Sequence, residues 1–347
     1  MTLIVFLLIL GLIVFIHEFG HFIMAKKHGI YVYEFSLGFG PKLFSFHRKN
    51  DETEYMIKLI PLGGYVMLAG ETDEDDKKVT DDKKLYNKSF LQKMTVMLAG
   101  VFNNFVLGFI LLFICGLCFG SDFTSNKLSD LNKDMPLYKA GARSGDRLVK
   151  INNINIRNFD DVELAIVING EDKPINVTVQ KKGTNKKETY KVKPYYDEET
   201  KSYYYGISIR NVNETGFISA LKYACVKIVS IFKSLIIIII SLFTGKLGLN
   251  SLSGPVGIYS VVGQATKSIA PIYSILYLTA YLSINVGFMN FLPFPAFDGG
   301  QAFLLIIEKL FRVKIPIKVK SIINTVGFVL LMALMVYVSI KDVINLF

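Results

Sequence analysis

The sequence predicts a polytopic α-helical membrane protein with four transmembrane helices and a separate α+β domain inserted between the second and the third. Three observations carry that fold class. Apolar blocks at about 1–24, 94–120, 272–292 and 321–343 each reach the roughly 20 residues that a bilayer demands of a helix. The net charge of +10 gathers beside those blocks: twelve Lys or Arg fall in residues 25–93, and Lys309, Arg312, Lys314, Lys318 and Lys320 crowd a short stretch near the fourth block. Such clusters are a topology signal, with the basic loops inside, and they argue against a nucleic-acid partner. Between 122 and 215 the composition turns to mixed charge with short strand-like runs, which marks a soluble unit large enough for its own small core.

Residues 1–16 carry no charge, no basic leader and no small-residue cleavage site, so the first block reads as a retained helix and not as a signal peptide. The stretches 31–41 and 54–66 that follow it alternate in polarity. Gly38, Gly40, Pro41, Pro61, Gly63 and Gly64 punctuate them, so they read as strands of a cytoplasmic-side, β-rich region over 25–93. The mixed acidic and basic run from Glu71 to Lys88 reads as a solvated linker. Cys115 and Cys118 lie inside the apolar second block and read as packing residues; with Cys225 alone, no disulfide framework is expected.

Within the soluble unit, 121–216, Ala140–Asn152 reads as a small-residue turn, a Gly-Asp turn and a strand. Phe159–Asn169 reads as a helix, and 175–181, 188–193 and 203–209 as strands. The segment 223–243 is ambiguous. Leu235 and the isoleucines Ile236–Ile240 invite a fifth span, yet Lys222, Lys227 and Lys233 interrupt its first half. A crossing there would put the basic run 309–320 outside and separate Asp298 from His21, so an interfacial amphipathic helix region is expected over 217–250. The third span and its breakpoint then occupy 251–300, a cytoplasmic loop 301–320, and the fourth span the remainder to 347.

The first block ends in His17-Glu18-Phe19-Gly20-His21. On a helix, positions i and i+4 share a face, so the two imidazoles can grip one metal ion while Glu18 projects beside it. The bland alternative is a helix end whose histidines snorkel to the interface, but three ionisable groups in a membrane helix are costly without a use. A catalytic zinc keeps three protein ligands and an open position. His28 and His47, the other histidines, fall in polar surroundings and read as surface residues, which leaves a carboxylate. Asp298 is the candidate, in Asn290-Phe291-Leu292-Pro293-Phe294-Pro295-Ala296-Phe297-Asp298-Gly299-Gly300. Irregular backbone of this kind is tolerated at membrane depth only when protein shelters it; the rival reading makes Asp298 a helix cap. The chemistry expected is zinc-assisted peptide hydrolysis with Glu18 as general base.

Ala140–Asn152 makes the soluble unit resemble a PDZ domain. Over nearly the whole chain the sequence resembles the site-2 protease family of intramembrane zinc metalloproteases, in its bacterial branch with a single PDZ domain. The residues that carry this are His17–His21, Glu34–Pro41, Ile60–Glu71 with Leu62-Gly63-Gly64-Tyr65, Ala99-Gly100 through Asn104-Phe105, Ser253–Ile258 and Asn290–Gly300. Val101 departs from a frequent Pro and Phe297 from a usual Leu, but neither removes a chemical group. The resemblance implies zinc as cofactor, held by His17, His21 and Asp298. It implies a polar role near the substrate for Asn290, and a membrane re-entrant β-loop over Ile57–Gly70 that brings Gly63, Gly64 and Tyr65 to the substrate.

It further implies single-span membrane proteins or peptides as partners, such as anti-sigma factors or remnant signal peptides. The location implied is a multi-pass bacterial plasma-membrane one, with the N-terminus and PDZ-like domain outside and the active site near the cytoplasmic side. Elementary physics agrees on one point: a peptide bond in a transmembrane helix must be unwound before hydrolysis, and its freed backbone needs new partners. An edge strand such as Tyr55–Leu59 or Tyr65–Leu68 could supply them. Two other classes compete, a membrane metal transporter with His and Asp marking an ion path, and a noncatalytic PDZ scaffold braced by metal.

Overall fold

The computed structural model describes residues 1–71 and 79–344. In chain order it contains α1 (Thr2–Lys27), β1 (Val32–His47), β2 (Glu54–Leu68), α2 (Phe90–Phe119), β3 (Ser121–Leu128), α3 (Pro136–Lys139), β4 (Arg147–Ile151), β5 (Ile154–Asn155) and α4 (Phe159–Asn169). There follow β6 (Ile175–Gln180), β7 (Lys187–Val192), β8 (Tyr195–Asp197), β9 (Ser202–Tyr204), β10 (Ile209–Glu214), α5 (Phe217–Phe243), α6 (Pro255–Thr266), α7 (Pro271–Phe291), α8 (Asp298–Phe311) and α9 (Ile317–Ile344). Among the described residues five helices, α1, α2, α5, α7 and α9, are long and apolar enough to cross a membrane. The chain is a polytopic membrane protein with two compact units, Met1–Leu111 with the chain from Leu252 onward, and Leu112–Ser251.

In the first unit α1 is apolar on every side, as a helix between lipid and protein must be. Its buried residues Phe6, Ile9, Ile13, His17 and Gly20 recur every three or four positions and form one stripe. The upper part of that stripe packs with Val262 of α6 and with Leu278 and Leu282 of α7. Leu3, Ile4, Leu8 and Leu12, on the opposite side, are exposed and suited to lipid. His17 therefore belongs to the face of α1 that meets protein.

The two long strands β1 and β2 each bend and pair twice, giving a four-armed sheet whose outer pairs are antiparallel. Val32–Leu37 lies between Gly64–Leu68 on one side and Glu54–Ile57 on the other, and Lys42–His47 pairs outside Glu54–Lys58. The arms Gly64–Leu68 and Lys42–His47 are thus the edges, whereas Tyr55–Leu59 is an inner arm and unavailable for strand addition, contrary to one of the two sequence expectations. The expected solvated linker is likewise corrected in its second half. Val79 and Leu85 are buried, the Leu85 backbone N–H donates to Ala69 O at 2.7 Å, and Leu85 joins Ala25, Ile30, Val32, Leu68 and Val96 in a core. Residues 72–78 of that stretch lie outside the described residues.

The expected loop 301–320 is helical through Phe311, because Asp298–Phe311 buries Ala302 and Leu305 on one face as α8. The expected span at about 272–292 is α7, and within the region 251–300 a separate helix, α6, precedes it; each has proline in its first turn. Gly254, at the N-cap of α6, has no side chain to cap the helix. The carboxylate of Asp342 in α9 does so from a distance in sequence: Oδ2 accepts from the backbone N–H of Gly254 at 2.7 Å and of Gly257 at 3.0 Å, while Lys341 pairs with Oδ1 at 3.1 Å.

In the second unit the strands run β10-β3-β4-β6-β7, with β5 on β4. Leu128, Leu137, Leu148, Ile151, Val162, Ile175, Val177 and Val179 form the core. The helix at Phe159–Asn169 is where the sequence puts it, with Asn158 Oδ1 accepting from the Asp161 N–H at 3.1 Å as its N-cap. The expected strand at 203–209 is split between the end of β9 and the start of β10, and β3 was not foreseen. The Gly145-Asp146 turn is held by Asp146, which accepts from the Arg143 and Lys182 N–H groups and from Lys181 Nζ at 2.9 Å. Burial pushes its pKa up, but these donors outweigh it and hold the carboxyl below its ordinary range.

Helix α5 turns a polar row toward this domain: Lys227 pairs with Asp160 at 2.7 Å, Ser230 Oγ accepts from Asn158 Nδ2 at 2.7 Å, and Lys233 pairs with Asp161 at 2.5 Å. Val226, Val229, Ile236 and Ile240 of the same helix are exposed.

The capping of α6 by α9 generates a test. Replacing Asp342 by Ala leaves two helix-terminal N–H groups unpaired and should cost about 1.5–3 kcal/mol of stability, the range for hydrogen bonds to a charged group. Unfolding in mixed detergent micelles, followed by loss of helicity, should register that difference; a variant as stable as the parent would show that water or lipid satisfies those groups instead.

Candidate metal centre

The stripe on α1 that buries Ile13 continues into His17, and one turn later His21 joins it, so both rings face into the first unit. The opposing carboxylate comes from the irregular segment after α7. Leu292 ends that helix in extended backbone, Ala296 takes φ 75°, a strained value for a residue with a Cβ, and Asp298 opens α8. Gly299 and Gly300 have no space for a Cβ, because it would strike the carbonyls of Phe291 and Phe294; the chain can double back only with glycine there. Asp298 does not cap its own helix. Its Oδ2 lies 3.2 Å from His17 Nε2 and 3.3 Å from His21 Nε2, and the two Nε2 atoms are 3.3 Å apart. Thus the three expected ligands come together.

That near-equilateral triangle has the dimensions of one face of a zinc tetrahedron, since bonds of about 2.0–2.2 Å at tetrahedral angles separate ligand atoms by about 3.3–3.5 Å. The donor set of two imidazoles and a carboxylate suits zinc, and Asp298 Oδ2 is buried without a hydrogen bond, as an oxygen kept for a cation would be. Helix α2 supports the histidines. His21 Nδ1 bonds Val96 O at 2.8 Å, which leaves Nε2 free for a metal. A Cβ on Gly100 would collide with His21 Nε2 and come within 2.8 Å of His17 Cε1, so glycine makes the room for both rings. Gly20 does the same for the helix crossing, its missing Cβ admitting the Ala99 carbonyl.

The family model described as Peptidase family M50 matches residues 5–334. The chain belongs to peptidase family M50, the site-2 proteases. Its relatives agree along their whole lengths. A Clostridium perfringens protein bearing the name zinc metalloprotease is 38% identical over 97% of each chain. A Fusobacterium nucleatum protein of the same designation is 33% identical over 100% of both. The regulator of sigma-W protease RasP of Bacillus subtilis is 30% identical over 100% of this chain and 99% of its own. This M50 chain is a zinc metalloendopeptidase of the site-2 protease type, and the transporter and scaffold readings are set aside.

Around the triad of the M50 chain, the edge arm of β2 passes the glutamate. Glu18 lies against the Val66 backbone N–H, and a Cβ on Gly64 would come 3.3 Å from Glu18 Cγ and 2.7 Å from Ser36 O. Gly64 is thus brought to the site. Gly63 shapes the bend before it, with φ 123° and the Phe39 ring where a Cβ would be. The Tyr65 hydroxyl is instead engaged within the sheet, donating to Glu34 and accepting from Lys58 at 2.5 Å. Asn290 is half-buried in the last turn of α7, just before the backbone breaks. His28 bonds Thr95 Oγ1 at 2.8 Å and stays apart, and His47 ends β1.

Sequence reasoning attached no role to Val96, Gly100 and Val66; the place of a glycine four residues after a carbonyl that accepts from a histidine is set only by the partner helix. It also left Glu71 in a linker. That side chain opens onto a cavity of ≈ 600 Å³ lined by Lys93, Gln301, Lys320 and Asn324.

The room that Gly100 provides can be tested directly. Gly100→Ala removes no ligand but should lower zinc content at least about tenfold, in the range seen when outer-shell support of a metal site is lost. Metal analysis of the folded, purified variant is the measurement, and full zinc occupancy would mean that the rings can rotate aside at little cost.

Proposed function

We propose that this M50 enzyme hydrolyses peptide bonds within the membrane-spanning segment of single-span substrates, with His17, His21 and Asp298 as the zinc ligands and Glu18 as general base. The reading rests on one observation above others: ligand atoms from three residues, two on α1 and one at the head of α8, all lie within 4.8 Å of one another. Zinc held there supplies a Lewis acid for the scissile carbonyl and lowers the pKa of water toward about 7. Glu18, one residue from the first ligand and not itself a ligand, takes the proton of the attacking water and returns it to the leaving amine.

The Gly64–Leu68 edge receives the unwound substrate by strand addition, because it is both a sheet edge and the arm that runs beside Glu18. Gly64 keeps that approach close, Gly63 sets the bend of the re-entrant loop, and Tyr65 holds the arm in the sheet through Glu34 and Lys58. Asn290 lends a polar group at the break after α7. Anti-sigma factors are the substrate class favoured by likeness to a relative named as a regulator of sigma-W protease; remnant signal peptides are a second.

The topology follows the same reading, with four crossings, α1, α2, α7 and α9, the N-terminus outside, a PDZ-like domain at 121–216 outside and the catalytic centre near the cytoplasmic side. Helix α5 lies in the outer interface. Two of its lysines, Lys227 and Lys233, pair with Asp160 and Asp161 of the domain, which supports an interfacial place for this helix.

Two experiments bear on this. Glu18→Gln should retain zinc near the parental level and yield no product from a single-span model peptide; normal turnover in that variant would overturn the mechanism. For the topology, single cysteines at positions 132 and 249, in a chain whose Cys115, Cys118 and Cys225 have been replaced, should react with an impermeant maleimide from the same side, and a cysteine at 314 from the other. Labelling of 132 and 249 from opposite sides would make α5 a fifth crossing.

A further inference from the structure

Three residues of α2 at intervals of four, Val96, Gly100 and Asn104, face α1 in one row. Val96 gives its carbonyl to His21 and Gly100 gives room to both rings. Asn104, two turns beyond Val96, is wholly buried with its side chain against the other histidine: Nδ2 lies 3.3 Å from His17 Nδ1. Its Oδ1 is buried and has no hydrogen-bond partner. The residue is held firmly, since Ser283 Oγ donates to its backbone oxygen at 2.9 Å and a Cβ on Gly287 of α7 would stand 3.2 Å from its Cβ.

His17 turns Nε2 toward His21 and Asp298, so Nε2 is the atom available to a metal and the proton of the neutral ring resides on Nδ1. A ring N–H needs an acceptor there, and the amide has one idle. A half-turn about the terminal torsion of Asn, which is broad and nearly two-fold, exchanges Nδ2 for Oδ1 opposite the ring. We propose that Asn104 is a positioning residue for the zinc site, its Oδ1 accepting the Nδ1–H of His17 and thereby fixing the ring orientation and tautomer that offer Nε2 to the metal. The two histidines are then supported alike from one helix, His21 by a main-chain carbonyl and His17 by a side-chain one. This inference rests on the reading of His17 as a ligand.

The test compares zinc release to a chromogenic chelator from the full-length protein in detergent, for the parent, Asn104→Leu, Asn104→Asp, Asn103→Leu and His17→Ala. Asn104→Leu should release zinc about 10–100-fold faster than the parent, whereas Asn104→Asp, which keeps an acceptor, should stay within about threefold of it. Asn103→Leu is the control for packing: Asn103 Nδ2 donates to Ile16 O at 3.2 Å on the same helix pair but faces no imidazole, so its zinc release should match the parent. His17→Ala should hold no zinc; full zinc there would refute the ligand reading and not merely the role of Asn104. Parental release from Asn104→Leu, or equally fast release from Asn104→Asp and Asn104→Leu, would overturn the inference.

Should Asn104→Leu fail to fold, the parent itself decides. With ¹⁵N-labelled histidine and zinc bound, two ring N–H signals slow to exchange are expected, from His17 and His21. A single protected signal, assigned to His21 by its proximity to Val96, would leave His17 without an acceptor and sink the proposal.

Discussion

The first unit is organised around the need to hold two imidazole nitrogens and a carboxylate oxygen about 3.3 Å apart, the edge of a zinc tetrahedron, inside a bundle of apolar helices. Lipid offers no hydrophobic gain for pressing helices together, so such proximity must come from shape. The sequence meets this with missing side chains: Gly20 against Ala99, Gly100 against both rings, Gly299 and Gly300 against the carbonyls that precede them, and Gly327 of α9 against Pro295. Each removes one Cβ where backbone or ring must pass. His17 and His21 on one side and Asp298 on the other come from distant parts of the chain, and these glycines are what allow those parts to meet.

The same environment penalises any polar group without a partner, and the pairing is accordingly made across elements. Asp342 on α9 supplies the cap that Gly254 cannot give α6. Val96 on α2 supplies the acceptor for His21. In the second unit Lys227 and Lys233 of α5, which would be costly in hydrocarbon, meet Asp160 and Asp161. Polar contacts here fix which helices neighbour which, while apolar packing such as that of Phe6, Ile9 and Ile13 fills the space between.

Glu18 links the bundle to the sheet. Gly64 admits the last arm of β2 beside Glu18, so the strand able to take up an unwound chain and the group able to activate water are adjacent. Tyr65, Glu34 and Lys58 tie that arm to its neighbours, which gives the edge a fixed register relative to Glu18.

By itself the sequence determined what local pattern can encode. It contained the apolar lengths, the His17-Glu18-His21 spacing on one helix face, the broken helix before Asp298 and the bounds of the helix at 159–169, because periodicity, proline and caps act over a few residues. Tertiary structure decided what depends on a distant neighbour. Which strand is an edge turned on how the arms of β1 and β2 fold back, so Tyr55–Leu59 became an inner arm and Gly64–Leu68 an outer one. Leu85 looked like part of a solvated linker until the core around Val96 covered it. Asn104 and Gly100 acquired their places only when α2 lay against α1, since the demands of a ring nitrogen or of a missing Cβ are set by atoms some eighty residues away in the chain.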